Sequence, residues 1–185
     1  RQEFLLGVRA ELPILVGVIP FGMIYGVLAL GAGLSAGEAQ AMSAIVFAGS
    51  SQFIATQLFH ENAPWLVIVF SIGVVNLRHA LYSASIAAHL ASLSSGWKSL
   101  LAYLLTDEAY AVAITYYSRA ENRHKSAFWH WYLLGAGLAL WSTWQVSTAI
   151  GISLGSIIPA SWSLDFTLAL TFIALVIPVL KDRAS

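Results

Sequence analysis

Apolar positions along this chain come in long blocks, separated by short polar or glycine-containing punctuation. Six runs reach or approach the roughly 20 residues needed to cross a bilayer. They predict helical spans at about 12–31, 40–59, 65–90, 99–117, 128–155 and 164–180. Asn62 and Pro64 mark a helix start before the third run, since proline is tolerated in a first turn. The expected fold is an all-α integral membrane protein, one transmembrane domain over residues 1–185.

Composition agrees. Of 185 residues, 58% are hydrophobic and 10% charged, against about 25% charged in a typical soluble domain. The net charge of zero gives no nucleic-acid footprint. The absence of cysteine removes disulfides, thiolate metal sites and cysteine nucleophiles. In a six-span arrangement Arg1, Arg9, Arg119, Arg123, Lys125, Lys181 and Arg183 fall on one side and only Lys98 on the other. That bias predicts that both ends of the sequence face the cytoplasm. Trp65, Trp97, Trp129, Trp131 and Trp162 lie near predicted span ends, whereas Trp141 and Trp144 fall inside the fifth and suggest packing or a cavity wall.

A weak internal similarity pairs Ser51-Gln52, Pro64 and Leu77-Arg78 with Trp144-Gln145, Pro159 and Leu180-Lys181. Three spans per half would form an inverted repeat, an architecture in which secondary transporters bind substrate between the halves.

Candidate chemistry concentrates in three spans. Arg78, Tyr82, Ser85 and His89 share one face of the third, with Asn76, His79 and Ser83 on the adjoining face. Snorkelling to the interface accounts for Arg78 alone but not for its polar neighbours. The fourth span carries Asp107 and Glu108 at a depth matching Arg78, which predicts an ion pair that either locks two helices or handles a substrate ammonium or proton. The second is interrupted at Ala48-Gly49-Ser50-Ser51-Gln52, where unwound backbone could bind an anion or small residues could pack tightly. Gly22 and Gly26 in the first span read as a packing face, with a hinge at Pro20 as the other reading. Ser142, Thr143, Gln145, Ser147 and Thr148 either line a cavity or bond back to helix carbonyls, while His60, His124 and His130 lie near membrane edges.

Three functions compete on these residues. The first is a secondary transporter for a small polar or zwitterionic solute. The second is an intramembrane hydrolase pairing Ser50 or Ser51 with His79 or His89, for which no oxyanion motif stands out. The third is a channel-like subunit, which leaves the depth-matched charges unexplained. No metal or other cofactor is implied.

Five segments in order, Ile19-Pro20-Phe21-Gly22 with Tyr25-Gly26, Phe47 to Phe53, Asn76 to Tyr82, Leu105 to Ala109 and Leu170 to Leu175, resemble the AzlC family, the large subunits of branched-chain amino acid permeases. The resemblance runs from about Leu12 to Arg183. It implies export of leucine, isoleucine or valine across the bacterial cytoplasmic membrane with a small AzlD-like membrane partner, and leaves a homo-oligomer open. It also implies a C-terminal truncation, since family members continue into further apolar segments. On this reading Ser50, Ser51, Gln52, Asn76, Arg78, His79, Tyr82 and Trp144 bind substrate, with Phe21 and Phe53 as apolar walls beside Trp144. Asp107 and Glu108 couple an ion or proton, and no residue is catalytic.

Overall fold

A computed structural model describes residues 1–119 and 127–157. The sixth predicted span, His124 and the repeat positions Pro159 and Leu180-Lys181 lie outside the described residues. Those described are helical, without strands: α1 Gln2–Gly31, α2 Ala36–Val46, α3 Gly49–His60, α4 Trp65–Ala87 with a terminal turn Ala88–Leu90, α5 Ser95–Tyr103, α6 Asp107–Ser118 and α7 Trp129–Gly155. Two of these, α1 and α4 with its turn, are long and apolar enough to cross a membrane by length and composition. α4 leaves Phe70, Leu77 and Leu81, which share one face, about 64–72% exposed, a face suited to lipid rather than water. The protein is an all-α membrane protein.

The chain divides into two compact units. Among the described residues, one comprises Arg1–Val16 and Gly73–Thr143; the other comprises Gly17–Ile72 and residues 144–157.

In the second unit, close approach of α1 and α7 depends on glycine. A Cβ on Gly26 would stand 2.5 Å from the Thr148 carbonyl oxygen and 2.6 Å from the Ile152 nitrogen, and one on Gly22 would stand 2.7 Å from Ser147 Cβ. The expected packing face is therefore observed, and α1 runs helical through Pro20. Gly26→Ala is expected to cost about 1–3 kcal/mol through overpacking against backbone. Gly17→Ala meets nothing within 4 Å and is expected to gain up to about 1 kcal/mol of helix propensity. Thermal unfolding in detergent separates the two.

α2 starts at a capping box. Ser35 Oγ accepts from the Glu38 amide at 3.3 Å, and the Glu38 carboxylate accepts from the Ser35 amide at 2.8 Å and its hydroxyl at 2.7 Å. These bonds from the Ser35 hydroxyl and backbone hold the exposed Glu38 carboxyl below its ordinary value. Its lowered folded value makes the contribution complete above the ordinary glutamate range and lost as pH falls through the folded value. Hydrogen exchange at the first turn of α2 is expected to accelerate as pH drops below that range, beyond the intrinsic trend, in wild type and much less in Ser35→Ala.

The second predicted span is two helices. α2 ends on Phe47 in the left-handed region (φ 39), and Ala48 is extended before α3 begins at Gly49. A bulky residue in that conformation is strained. The interruption read from the sequence is thus real, centred on Phe47 and Ala48, with Gly49 to Gln52 forming the first turn of α3. α2 begins just beyond the C-terminal end of α1. At the far end of α3, the Phe59 ring lies 4.0 Å from where a Gly33 Cβ would stand. The tip, Gly49, packs instead on the Trp144 ring, at 3.1 Å from a would-be Cβ. The pair is a hairpin that returns to the end of α1 where it started.

The fourth predicted span is also divided, which its sequence was not read to show. Leu104, Leu105 and Thr106 separate α5 from α6. Thr106 is the N-cap of α6, its side chain accepting from the Ala109 amide at 3.5 Å, and Asp107 and Glu108 occupy the first turn, where the helix dipole favours negative charge. Trp97 near the start of α5 sits 5.2 Å from both the His130 and Trp131 rings, and Tyr117 at the end of α6 stacks on Trp129 at 4.6 Å. At the tip, Leu104 packs on Gly137 and the Tyr103 hydroxyl accepts from Trp141 Nε1 at 2.7 Å. Both ends of this second hairpin therefore lie at the N-terminal end of α7. Lys98 accordingly sits at the same end of its unit as Arg119 and as α1 Glu3, which is bonded to Tyr116. Among the described residues, Lys98 therefore does not lie opposite Arg119 and the start of α1, as the six-span arrangement expects.

The order of a long helix followed by two short ones joined at a break thus occurs twice, as α1–α3 and α4–α6. α7 is unbroken through Trp144-Gln145, so its similarity to Ser51-Gln52 does not extend to helix geometry.

Candidate functional site

Each break carries a polar cluster, and each cluster lies within its own unit. At the tip of the α5–α6 hairpin, Asp107 is placed by the Thr106 cap and meets α4. Arg78 Nη1 donates to Asp107 Oδ2 at 2.5 Å, and His79 Nε2 lies 4.0 Å from Asp107 Oδ1. The expected pairing is observed. Side chains of Arg78 and Asp107 are 30% and 38% exposed, so the pair is half-buried and reachable. Among the described residues no hydrogen bond reaches Asp107 Oδ1 or His79 Nε2. One carboxylate oxygen therefore serves Arg78 while the other keeps acceptor capacity toward a further donor.

Further along the same two helices, Tyr82 stacks on Tyr110 at 4.6 Å and the Ser85 hydroxyl is 2.9 Å from the Tyr110 hydroxyl. His89 packs against Tyr117 and Trp129 at 5.4 and 5.0 Å. The polar face of α4 is thus matched by Asp107, Tyr110 and Tyr117 on α6. Tyr110 was not foreseen, although its position one turn after Asp107 puts it on the same face. Asn76 and Glu108 are half-buried. Beside this cluster a largely apolar groove of about 430 Å³ runs between α4, α5 and α7, lined by Ser83, Ile86, Leu90, Leu101, Leu105 and Leu133 among others.

At the tip of the α2–α3 hairpin, Ser51 and Gln52 are fully buried and Ser50 is exposed. Gln52 Oε1 accepts from Trp144 Nε1 at 3.2 Å, and its own amide nitrogen has no partner among the described residues. Tyr25 stacks on Trp144 at 6.2 Å and meets Phe53 edge-on at 6.2 Å, and Phe53 in turn meets Phe21 at 6.4 Å. The three expected apolar walls are therefore gathered around Tyr25, whose hydroxyl donates to the Ala39 carbonyl at 2.8 Å. Gln145 and Thr148 do not bond back to the carbonyls of their own helix. They bind across to α2, Gln145 with Gln40 at 2.7 Å and the Ser43 carbonyl at 3.1 Å, and Thr148 with Ser43 at 2.9 Å. In an apolar surrounding such cross-helix bonds fix helix register.

A family described as AzlC protein matches residues 13–158. A membrane protein of Archaeoglobus fulgidus is 34% identical over 97% of this chain and 77% of its own length. The inner membrane protein YgaZ of Escherichia coli is 31% identical over 83% of this chain and 61% of its own. The branched-chain amino acid transport protein AzlC of Bacillus subtilis is 29% identical over 90% of this chain and 63% of its own. The chain thus spans about three-fifths to three-quarters of these relatives. No solved structure matches it.

Proposed function

Because this chain belongs to the AzlC family, we propose that it is a secondary transporter that exports branched-chain or other hydrophobic amino acids across the cytoplasmic membrane. The observation that carries the reading is the half-buried Arg78–Asp107 pair at the break before α6. A zwitterionic amino acid presents the same two charges in complementary form. Its carboxylate replaces Asp107 on the Arg78 guanidinium, in the fork geometry that arginine offers. Its ammonium takes Asp107, whose Oδ1 already has capacity for a donor. The exchange is charge-neutral, and with no substrate bound the two residues satisfy each other, avoiding the cost of uncompensated charge. Asn76, His79 and Tyr82 line this position on α4, and the adjoining groove supplies apolar surface for the side chain.

Ser50, Ser51, Gln52 and Trp144 form a second polar station at the other hairpin tip. Coupling to an ion or proton involves Asp107 and Glu108. The cation-bearing end of the first unit, with Arg1, Lys98 and Arg119, faces the cytoplasm by the positive-inside rule, and a small AzlD-like membrane subunit completes the permease. The family is one of transporters, and the hydrolase reading finds no support in its name.

The test is efflux of labelled leucine from proteoliposomes containing the full-length protein with its small partner. Saturable efflux, lost in Asp107→Asn, is expected. Efflux equal to that of empty liposomes overturns the reading.

A further inference from the structure

Glu11 is the buried acid for which the transport reading has no use. It is fully buried, and neither carboxylate oxygen has a hydrogen-bond partner among the described residues. In the structure α1 continues well ahead of the predicted span and carries Glu3, Gly7 and Glu11 on one stripe, four residues apart. Gly7 sets that stripe directly on the backbone of α7 at Tyr132 and Ala136.

The ionisable groups around it form a series. Glu3 accepts from the Tyr116 hydroxyl at 2.6 Å, and the Tyr116 ring stacks on Tyr132 at 3.9 Å. Tyr132 on α7 lies within electrostatic reach of Glu3, Glu11 and Arg119. On α6, Glu108 acts on Glu11 as a like charge, and Glu108 adjoins Asp107 of the ion pair. A bare carboxylate at Glu11 would thus face a second acid with no donor to balance it, a placement that costs several kcal/mol. A carboxylic acid there carries no such cost.

We propose that Glu11 is a proton-carrying group of this transporter, holding a proton while enclosed between α1, α6 and α7 and exchanging it during the transport cycle. The proposal rests on the transport reading and adds a coupling residue outside the ion-pair cluster. The step moves one proton onto and off a carboxylate oxygen, with water as donor and acceptor.

Two measurements on the full-length protein with its partner test it. Infrared spectroscopy near neutral pH should show a protonated-carboxyl C=O band that disappears in Glu11→Gln. No such band in wild type, or its survival in the variant, overturns the proposal whether or not leucine is transported. In proteoliposomes, Glu11→Gln should lose leucine accumulation driven by a pH gradient while keeping leucine–leucine exchange within about twofold. Retained gradient-driven accumulation, or loss of both activities, overturns it. Since glutamine mimics the neutral acid, the variant should melt no lower than wild type, and failure to fold also counts against the proposal. Absence of any leucine flux in wild type instead sinks the transport reading.

Discussion

Arg78→Ala is expected to abolish substrate-dependent flux and to lower stability by about 1–3 kcal/mol. The magnitude lies between two limits. Exposed ion pairs contribute about 0–1 kcal/mol, and removing one partner of a buried pair costs about 3–5 kcal/mol. Arg78 and Asp107 are roughly one-third exposed, and their surroundings are apolar on the α4 side, where Leu77 and Leu81 look outward. Asp107 would be left with His79 at 4.0 Å as its nearby basic group. The informative companion is the exchanged pair, Arg78→Asp with Asp107→Arg. If the pair only joins α4 to α6, the exchange restores both stability and flux. If Arg78 receives a substrate carboxylate at a fixed place, the exchange restores melting temperature toward wild type and leaves flux absent. The second outcome is expected, read by thermal unfolding and by labelled-leucine efflux on the same preparations.

Gly7→Leu is expected to leave no monodisperse protein, with a loss of about 3 kcal/mol or more. A Cβ at this position falls on the Tyr132 carbonyl oxygen, and a Cβ on Gly135 falls on the Phe4 carbonyl oxygen. The two helices are in backbone contact, so neither a rotamer change nor a neighbouring side chain can relieve the clash. Gly73→Leu is the control, because a Cβ there meets nothing within 4 Å. Size-exclusion chromatography and thermal unfolding in detergent should separate the two variants; similar behaviour would mean that α1 and α7 do not approach as described.

Much of this was legible in the sequence because it depends on local pattern. Apolar runs marked the long helices, and the Gly-Ser run at Gly49 to Ser51 marked the broken second span. The depth argument that paired Arg78 with Asp107 holds for a simple reason: both counts start from the connection between Leu90 and Lys98, so the match survives although the fourth span is a hairpin. That hairpin was missed because Thr106-Asp107-Glu108 can be read in two ways. In a continuous span they are charges in a membrane; as an N-cap with acids in the first turn they start a helix. The return of each hairpin to its starting end depends on contacts such as Trp97 with His130 and Phe59 with Gly33, far apart in sequence. Burial of Glu11 is set by α7, more than 120 residues away in the chain, and nothing near Arg9 announces it.

The proposed function has Arg78 and Asp107 receive the two charges of an amino acid. It is tested most directly by competition for labelled leucine bound to the purified full-length protein. Displacement by leucine, isoleucine and valine is expected, and none by leucinamide, which keeps the ammonium and side chain but offers Arg78 no carboxylate. Displacement by leucinamide as strong as by leucine, or binding unchanged in Arg78→Ala, would contradict it.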